Sequence, residues 1–260
     1  MDIEVKAKKI RAKLEKFSLP TIKLFPKVEL AENIYSSKFG GKPYWPKCLK
    51  YPESKPGEKL VLLAQLNFNE LPRLTDFPQD GILQFFVEND DLYGMDFDIS
   101  FEDVMKSPSG YRVIYHPVLE RNEELIENNL PEANKESYLP ISREYRLKST
   151  LDSEIPSPTD FRYEKYSSAP FEYEDELSDY IYDNFVSEGS KIGGYANFAQ
   201  EDPRVNGEHD NWVLLFQMDS EYLGDNEIMW GDVGVGNFFI EKEALKKNDF
   251  SRVWYNWDCC

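Results

Sequence analysis

Three short segments of this chain recur in the same order about 153 residues further along the sequence. The aligned pairs are residues 38–46 with 191–199, 61–68 with 213–220, and 81–88 with 234–241. Of these 25 aligned positions 11 are identical, whereas unrelated segments would share about one or two. The distance is domain-sized and far exceeds the roughly 20 to 50 residues of solenoids and propellers. The sequence therefore predicts an internal duplication.

Each copy predicts the same order of elements. Runs of Val, Leu, Ile, Phe and Tyr between Gly and Pro residues indicate two strands per copy, at 61–68 and 82–88 and again at 213–219 and 235–241. Short helices are predicted at 101–106 and 242–247, followed by a last strand around 112–115 and 252–255. This last match has an offset of 140, so we expect an extra stretch of about 13 residues in the first copy near 89–100.

The expected fold class is α+β and β-rich, with a strand-strand-helix-strand motif present twice in pseudo-two-fold symmetry. The repeats span residues 38–115 and 191–255, within a single compact domain over residues 1–260. Hydrophobic residues make up 41% of the chain and aromatic residues 15%. This content is ample for a packed core, so wholesale disorder is excluded.

Two segments lie outside the repeats. Residues 1–20 predict an amphipathic helix with an apolar stripe, which Pro20 ends; the stripe is Ile3, Ala7, Ile10, Leu14 and Phe17. This helix is basic, and we expect it to dock on the acidic body of the same protein. Residues 116–190 predict a polar connector with a helix near 171–186. Leu177, Ile181 and Phe185 share a face of that helix, and Glu172, Glu174, Asp175 and Glu176 crowd its first turn.

The composition narrows the classes of partner and compartment. The chain shows no signal-peptide pattern and no apolar run near the roughly 20 residues that span a bilayer, so we expect no membrane insertion. Its three cysteines provide no disulfide framework, which favours the cytoplasm. The net charge of −18 disfavours nucleic acid and makes a basic protein the more natural partner.

A search for chemical motifs finds little. His116 and His209 have no second ligand at metal-binding spacing, and no nucleophile elbow or phosphate-binding loop is present. Four acidic residues near 219–232 (Asp219, Asp225, Glu227 and Asp232) lack the spacing and the central glycine of a calcium loop, which leaves a weak cation site open. We expect no metal centre and no cofactor.

The most informative polar residues recur at matching strand positions. Alternation on the first strand places Leu62, Ala64, Leu66 and Phe68 on one face and Gln65 and Asn67 on the other. Gln217 matches Gln65, and Asn237 matches Gln84. These amides could line a polar cleft between the copies, or they could satisfy one another and the neighbouring backbone. The candidate ligand-binding residues are therefore Gln65, Gln84, Gln217 and Asn237, together with Trp230 and Asp232.

The segments at 39–46, 62–68, 81–86 and 230–240 resemble those of the YwqG-like family of bacterial proteins. The resemblance covers nearly the whole chain and implies a compact cytoplasmic protein. That family has no assigned activity, so it implies no catalytic residues. Two hypotheses remain open. One is a binding protein with a basic partner, such as an immunity-type protein, and the other is a small-ligand binder or enzyme that uses a cleft between the copies.

Overall fold

The computed structural model describes residues 2–106, 110–168, 176–204 and 209–259. The helices are α1 (Ile3–Leu14), α2 (Phe101–Lys106), α3 (Tyr163–Ser167), α4 (Glu176–Asn184) and α5 (Lys242–Lys246), with 3-10 turns at Glu15–Phe17 and Glu123–Leu125. The strands are β1 (Leu19–Lys27), β2 (Lys38–Phe39), β3 (Glu53–Lys55), β4 (Glu58–Lys59), β5 (Val61–Asn67), β6 (Ile82–Val87), β7 (Tyr111–His116), β8 (Tyr145–Glu154), β9 (Lys191–Gly193), β10 (Trp212–Asp219), β11 (Glu221–Leu223), β12 (Asn226–Ile228), β13 (Val235–Glu241) and β14 (Val253–Asp258).

One large antiparallel sheet of ten strands dominates the fold, in the order β14-β13-β10-β9-β1-β8-β2-β5-β6-β7. Its centre is the pair β1 and β8, which runs from Leu19 opposite Glu154 to Lys27 opposite Arg146. We call β2, β5, β6 and β7 the N-terminal half-sheet, and β9, β10, β13 and β14 the C-terminal half-sheet. The fold is thus mostly β with a few short helices, which confirms the β-rich α+β expectation.

The two half-sheets have matching strand registers. Gln65 lies opposite Gln84, and Gln217 lies opposite Asn237. Both first strands carry a β-bulge at the same place, between Leu62 and Ala64 in β5 and between Leu214 and Phe216 in β10. We therefore call two residues counterparts when they hold the same register position in the two half-sheets.

The outer strands correct one predicted alignment. Phe86 pairs with Arg112, and its counterpart Phe239 pairs with Trp254 rather than with Arg252. The offset of the last strands is therefore 142, and the predicted offset of 140 is wrong by two residues. A shift of two residues keeps every side chain on the same face, so alternation alone could not reveal the error.

The bulge also corrects the predicted faces of β5. Alternation places Leu62 with Ala64 and Leu66, and this is wrong. Leu62 packs with Trp45 and Phe86 on the opposite face, whereas Ala64 and Leu66 belong to the main core. The extra residue of a bulge breaks the two-residue period once, so that Leu62 lies on the face of Gln65.

Segment 116–190 holds more than the predicted connector. It contributes β8, the longest strand of the sheet. Most of its outer residues are polar and exposed, from Lys148 to Ser153, so the hydrophobic alternation that identifies a strand is absent. Similarly, helix α1 ends at Leu14 and β1 begins at Leu19, inside the segment predicted as helix. The predicted helix at 171–186 is described over Glu176–Asn184, and Glu172, Glu174 and Asp175 lie outside the described residues.

Helix α1 docks on the protein's own helices, as its apolar stripe predicts. Its residues Ala7, Ile10 and Leu14 are buried, and they form a separate cluster with side chains from α3, α4 and the residue after α4: Tyr163, Ile181 and Phe185. Because a short helix in water is marginal on its own, this apolar contact stabilises all three helices together.

The main core lies between the two half-sheets and is rich in aromatic rings. Phe216 of β10 packs on Phe85 with ring centroids 4.5 Å apart and on Phe39 at 5.9 Å. Phe85 also meets Phe238 edge-on at 4.9 Å. Strands β5, β6, β10 and β13 are buried on both faces along most of their length, which is why each one is a nearly continuous apolar run. Among the described residues, no helix is both long enough and apolar enough to cross a membrane.

Candidate functional site

The predicted amides of the N-terminal half-sheet are buried and fully hydrogen-bonded. Gln65 donates through Nε2 to the carbonyl oxygens of Ile34 and Ser36, both at 2.9 Å. Its Oε1 accepts from the backbone N of Tyr44 at 2.9 Å and from Gln84 Nε2 at 2.8 Å. The amide thus joins two loop segments to the sheet.

Gln84 completes the same network. Its Nε2 also donates to the carbonyl oxygen of Tyr44 at 2.8 Å, and its Oε1 lies 2.9 Å from His116 Nε2. Burial lowers the pKa of His116 to about 4, so the imidazole is neutral near pH 7. Since Gln84 Oε1 can only accept, Nε2 of His116 carries the proton in this contact.

The C-terminal half-sheet repeats part of this network. Gln217 donates through Nε2 to the carbonyl oxygens of Ser187 at 3.1 Å and Gly189 at 2.9 Å, and its Oε1 accepts from Asn197 N at 2.8 Å. These partners are the counterparts of those of Gln65. Asn237 Nδ2 donates to the carbonyl oxygen of Asn197 at 2.8 Å. Its Oδ1 is buried and has no hydrogen-bond partner among the described residues.

The six predicted site residues therefore do not form one site. The four amides are completely buried and hold loops against the sheet. Trp230 is also completely buried and contacts Tyr93 and Trp257, whereas Asp232 lies exposed in the turn before β13. None of the six lines any of the three pockets found among the described residues.

The candidate site is a cleft of about 350 Å³ on the outer face of the C-terminal half-sheet. We call it the acidic cleft. Its walls are residues 158–159, Tyr182, Val186 and Glu188 from around α4, the loop 197–199, and residues 219–220 and 233–235 at the adjoining ends of β10 and β13. The amides of Gln217 and Asn237 position this site indirectly, because they fix the backbone of Ser187, Gly189 and Asn197.

The charges at the cleft are negative. The described lining contains the carboxylates of Asp219 and Glu188 and no Lys or Arg. Burial raises the pKa of Asp219, and the neighbouring Glu188 raises it further. The backbone N–H groups of Gly189 and Ser220 donate to this carboxylate at 2.6 and 2.9 Å and oppose the shift. A desolvated carboxylate of this kind is stabilised by an added cation.

The lysines beside the cleft are already paired: Lys23 donates to Glu154 and to the carbonyl oxygen of Glu188. Lys191, counterpart of the buried Lys38, donates to both carboxylate oxygens of Glu154 at 2.9 Å and to the carbonyl oxygen of Ser187. Burial lowers the pKa of Lys191 to about 8 despite Glu154. Lys38 pairs in the same way with Glu144 at 3.3 Å. The pairs of Lys191 and Lys38 lie behind the Gly-Gly turns and serve the scaffold, since both lysines are almost fully buried.

The matching region of the N-terminal half-sheet is filled with side chains. Tyr44, Ile82 and Ile126 form a buried cluster there, with Ile34, Tyr35 and Leu119 packed against it. The backbone N of Glu120 donates to the Tyr44 hydroxyl at 2.6 Å, and Tyr35 donates through its own hydroxyl to the Glu120 carbonyl oxygen at 3.0 Å. Segment 117–130 thus covers the position that is open in the C-terminal half-sheet.

No metal centre accompanies the cleft in the part of the chain that the structure describes, where no group of three or more His, Cys, Asp or Glu side chains could hold a metal ion. Asp225 and Glu227 lie in and beside the β11–β12 hairpin and do not line the cleft with Asp219.

A family model described as a domain of unknown function, DUF1963, matches residues 37–259. The chain belongs to this family. The DUF1963 match spans both half-sheets and every wall of the acidic cleft, and it leaves out α1 and β1. A search of curated proteins returned no match.

Sequence reasoning missed most of the cleft residues, although the repeat contained a signal. It singled out positions that the aligned segments share, whereas several walls of the acidic cleft lie at positions where the segments differ. Asn197, Ala199 and Ser220 stand at the places of Tyr44, Pro46 and Phe68. Each exchange removes a large or rigid side chain, and a run of such exchanges on one face predicts open space.

Proposed function

We propose that this DUF1963 chain is a binding protein and that its acidic cleft receives a positively charged side chain of a basic protein partner. The observation that carries the proposal is the described lining of the cleft, which combines Asp219 and Glu188 with no basic residue. The amide networks support a binding scaffold, because they hold the loops that form the cleft walls in place.

Electrostatics favour such a partner at two ranges. At long range, the net charge of −18 attracts a basic protein and accelerates its association. At short range, a cation in the cleft compensates Asp219, whose pKa burial raises. Binding is therefore expected to weaken as the salt concentration rises and as Asp219 becomes protonated at low pH.

The experiment uses the full chain and a fluorescent peptide of Gly and Ser that carries three Arg or Lys residues. Fluorescence anisotropy should show binding that E188Q and D219N each weaken at least threefold. D91N is the matched control, because it removes one charge from an exposed position away from the cleft. An equal loss of peptide affinity in D91N and in the cleft variants would show that net charge alone causes the effect, and it would contradict the assignment of the cleft.

A second candidate is a small-molecule ligand in the same cleft. The cleft volume of about 350 Å³ lies at the lower end of the range of roughly 300 to 1,000 Å³ that is usual for ligand sites. A thermal-shift screen of small amines and polar metabolites distinguishes the two, since a specific small ligand raises the melting temperature with its concentration. The absence of any concentration-dependent shift, together with peptide binding, would favour the protein partner.

Three finer assignments accompany the main proposal. A cytoplasmic immunity-type protein that neutralises a basic toxin is one specific form of the function. Within the DUF1963 family, the quoted segments support a place among the YwqG-like proteins. The matching registers and bulges of the half-sheets support an origin by internal duplication, in which one copy kept an open cleft and the other filled it.

A further inference from the structure

The two half-sheets differ in the side chains that surround the amides of Gln84 and Asn237. In the N-terminal half-sheet the ring of His116 places its Nε2 2.9 Å from Gln84 Oε1. Tyr44 stacks edge-on against His116 with ring centroids 5.2 Å apart and is itself completely buried. This half therefore supplies its own planar N–H donor to the amide oxygen.

The C-terminal half-sheet presents acceptors at the same positions. Asp258 is the counterpart of His116, because it pairs with Val235 as His116 pairs with Ile82. Asn237 is the counterpart of Gln84, and its Oδ1 is completely buried with no hydrogen-bond partner in the described part of the chain. Asn197, the counterpart of Tyr44, lines the acidic cleft and accepts a hydrogen bond from Asn237 Nδ2 at 2.8 Å.

These residues adjoin the cleft on one face of the sheet. Paired residues of antiparallel strands and alternate residues of one strand share a face, so Asn237 and Asp258 lie on the face of Val235, a cleft wall. Asp258 accepts from the backbone N of Gln200 at 2.8 Å, next to the wall residue Ala199. Burial raises the pKa of Asp258, as it does for Asp219.

We propose that the acidic cleft is specific for a planar guanidinium group, as carried by an arginine side chain, which takes the place that Tyr44 and His116 fill in the N-terminal half-sheet. The inference rests on the proposed function and narrows it from any cation to arginine. Its N–H groups donate to the carboxylates of Asp219 and Glu188, and the buried Asn237 lies behind the wall residue Asn197.

A guanidinium suits these surroundings better than an ammonium for two reasons. It carries five N–H donors in a fixed plane and can serve several acceptors at once, whereas an ammonium is a compact point charge with a strong hydration shell. Its flat faces also pack on aromatic rings, and the cleft walls include Phe198 and Tyr182. The described walls supply acceptors and rings together, which is the combination that arginine uses.

The test compares peptides that differ at one residue. The full chain is titrated with fluorescent Gly/Ser peptides that contain a single Arg, Lys or citrulline, where citrulline keeps the planar shape without the charge. Methylguanidinium, methylammonium and methylurea serve as unlabelled competitors. We expect the Arg peptide to bind at least tenfold more tightly than the Lys peptide, with negligible binding of citrulline, and methylguanidinium to be the best competitor.

Two variants locate the site. Asn197→Tyr installs the residue of the closed half-sheet and should reduce Arg-peptide affinity at least tenfold. Asn128→Tyr makes the same exchange at an exposed position in the N-terminal half and should leave affinity unchanged. Circular dichroism and melting temperature establish that each variant folds. If N197Y does not fold, E188Q replaces it, because Glu188 is exposed.

The outcomes separate the two proposals. Equal binding of Arg and Lys peptides, lost in E188Q, would overturn the guanidinium assignment and leave the basic-partner function standing. Arg-peptide binding that N197Y leaves intact would place the site elsewhere and overturn this inference. Binding by none of the cationic peptides at low salt would contradict both.

Discussion

Arg204, a completely buried residue, donates two parallel hydrogen bonds to Asp202, from Nε to Oδ1 at 2.9 Å and from one terminal nitrogen to Oδ2 at 2.7 Å. The same nitrogen reaches Asp160 Oδ2 at 3.0 Å, and Asp160 in turn accepts two hydrogen bonds from the guanidinium of Arg162 and one from its backbone N. The ladder of two arginines and two aspartates fastens the segment next to the cleft wall 158–159 to the loop that follows residues 197–199.

Arg204→Leu should lower the free energy of unfolding by about 3 to 5 kcal/mol, because it leaves the buried carboxylates of Asp160 and Asp202 without their shared cation. Urea denaturation measures the change. The double variant R204L/D202L should be less damaging than the two single variants combined, since it removes charge and countercharge together. Strict additivity would mean that the two side chains do not act as a pair.

Gln65→Ala should destabilise the fold by about 2 to 4 kcal/mol, because four buried hydrogen-bonding groups lose their partner. Gln217→Ala should destabilise the fold somewhat less, because three hydrogen bonds are lost. Chemical denaturation of both variants, with exposed Asn129→Ala as the control, tests the structural role. An unchanged unfolding midpoint with lost peptide binding would instead assign these amides to a ligand.

Glu221→Gln should stabilise the protein at pH 8 by about 1 kcal/mol, after allowance for solvent screening. Burial raises the pKa of Glu221 to about 7, above its ordinary value of 4.5, and the nearby Asp219 adds to the shift. The folded chain therefore binds the extra proton between about pH 4.5 and 7, and stability falls as the pH rises through that window. Between pH 4 and 8, the free energy of unfolding should depend less on pH in E221Q than in the parent chain.

His116→Gln should change the pH dependence in the opposite direction. Burial lowers the pKa of His116 to about 4 from 6.5, so the unfolded chain binds the extra proton between these values. The contribution of neutral His116 to the free energy of unfolding is complete above about pH 6.5. It falls by up to about 3 kcal/mol as the pH decreases toward 4. Acid unfolding of H116Q should shift to lower pH, and an unchanged acid midpoint would contradict this assignment.

The sequence predicted the parts of the fold in which the aligned segments carry the same apolar pattern. Strands β5, β6, β10 and β13 lie within one or two residues of their predicted bounds, because their apolar runs are buried on both faces. The central strand β8 was missed, since the exposed residues from Lys148 to Ser153 carry no apolar alternation. Its place in the sheet is set by pairing with β1, which local residue patterns do not report.

The candidate site was harder to predict for a related reason. Matching residues such as Gln65 and Gln217 attract attention because they align, yet both half-sheets need them to hold loops in place. The cleft arises where Asn197 and Ser220 replace Tyr44 and Phe68. Whether such an exchange leaves space depends on which segment covers it, and segment 117–130 covers only the N-terminal half-sheet.

The pairing of β1 with β8 means that each half-sheet borders a strand that comes from the other part of the chain. Strand β1 comes from the start of the sequence and borders β9 of the C-terminal half-sheet, whereas β8 borders β2 of the N-terminal half-sheet. A cut near residue 130 would therefore give two fragments, each of which holds a strand that the other requires at its border. Expressed apart, such fragments should expose open strand edges and aggregate; mixed together, they should reassemble by fragment complementation.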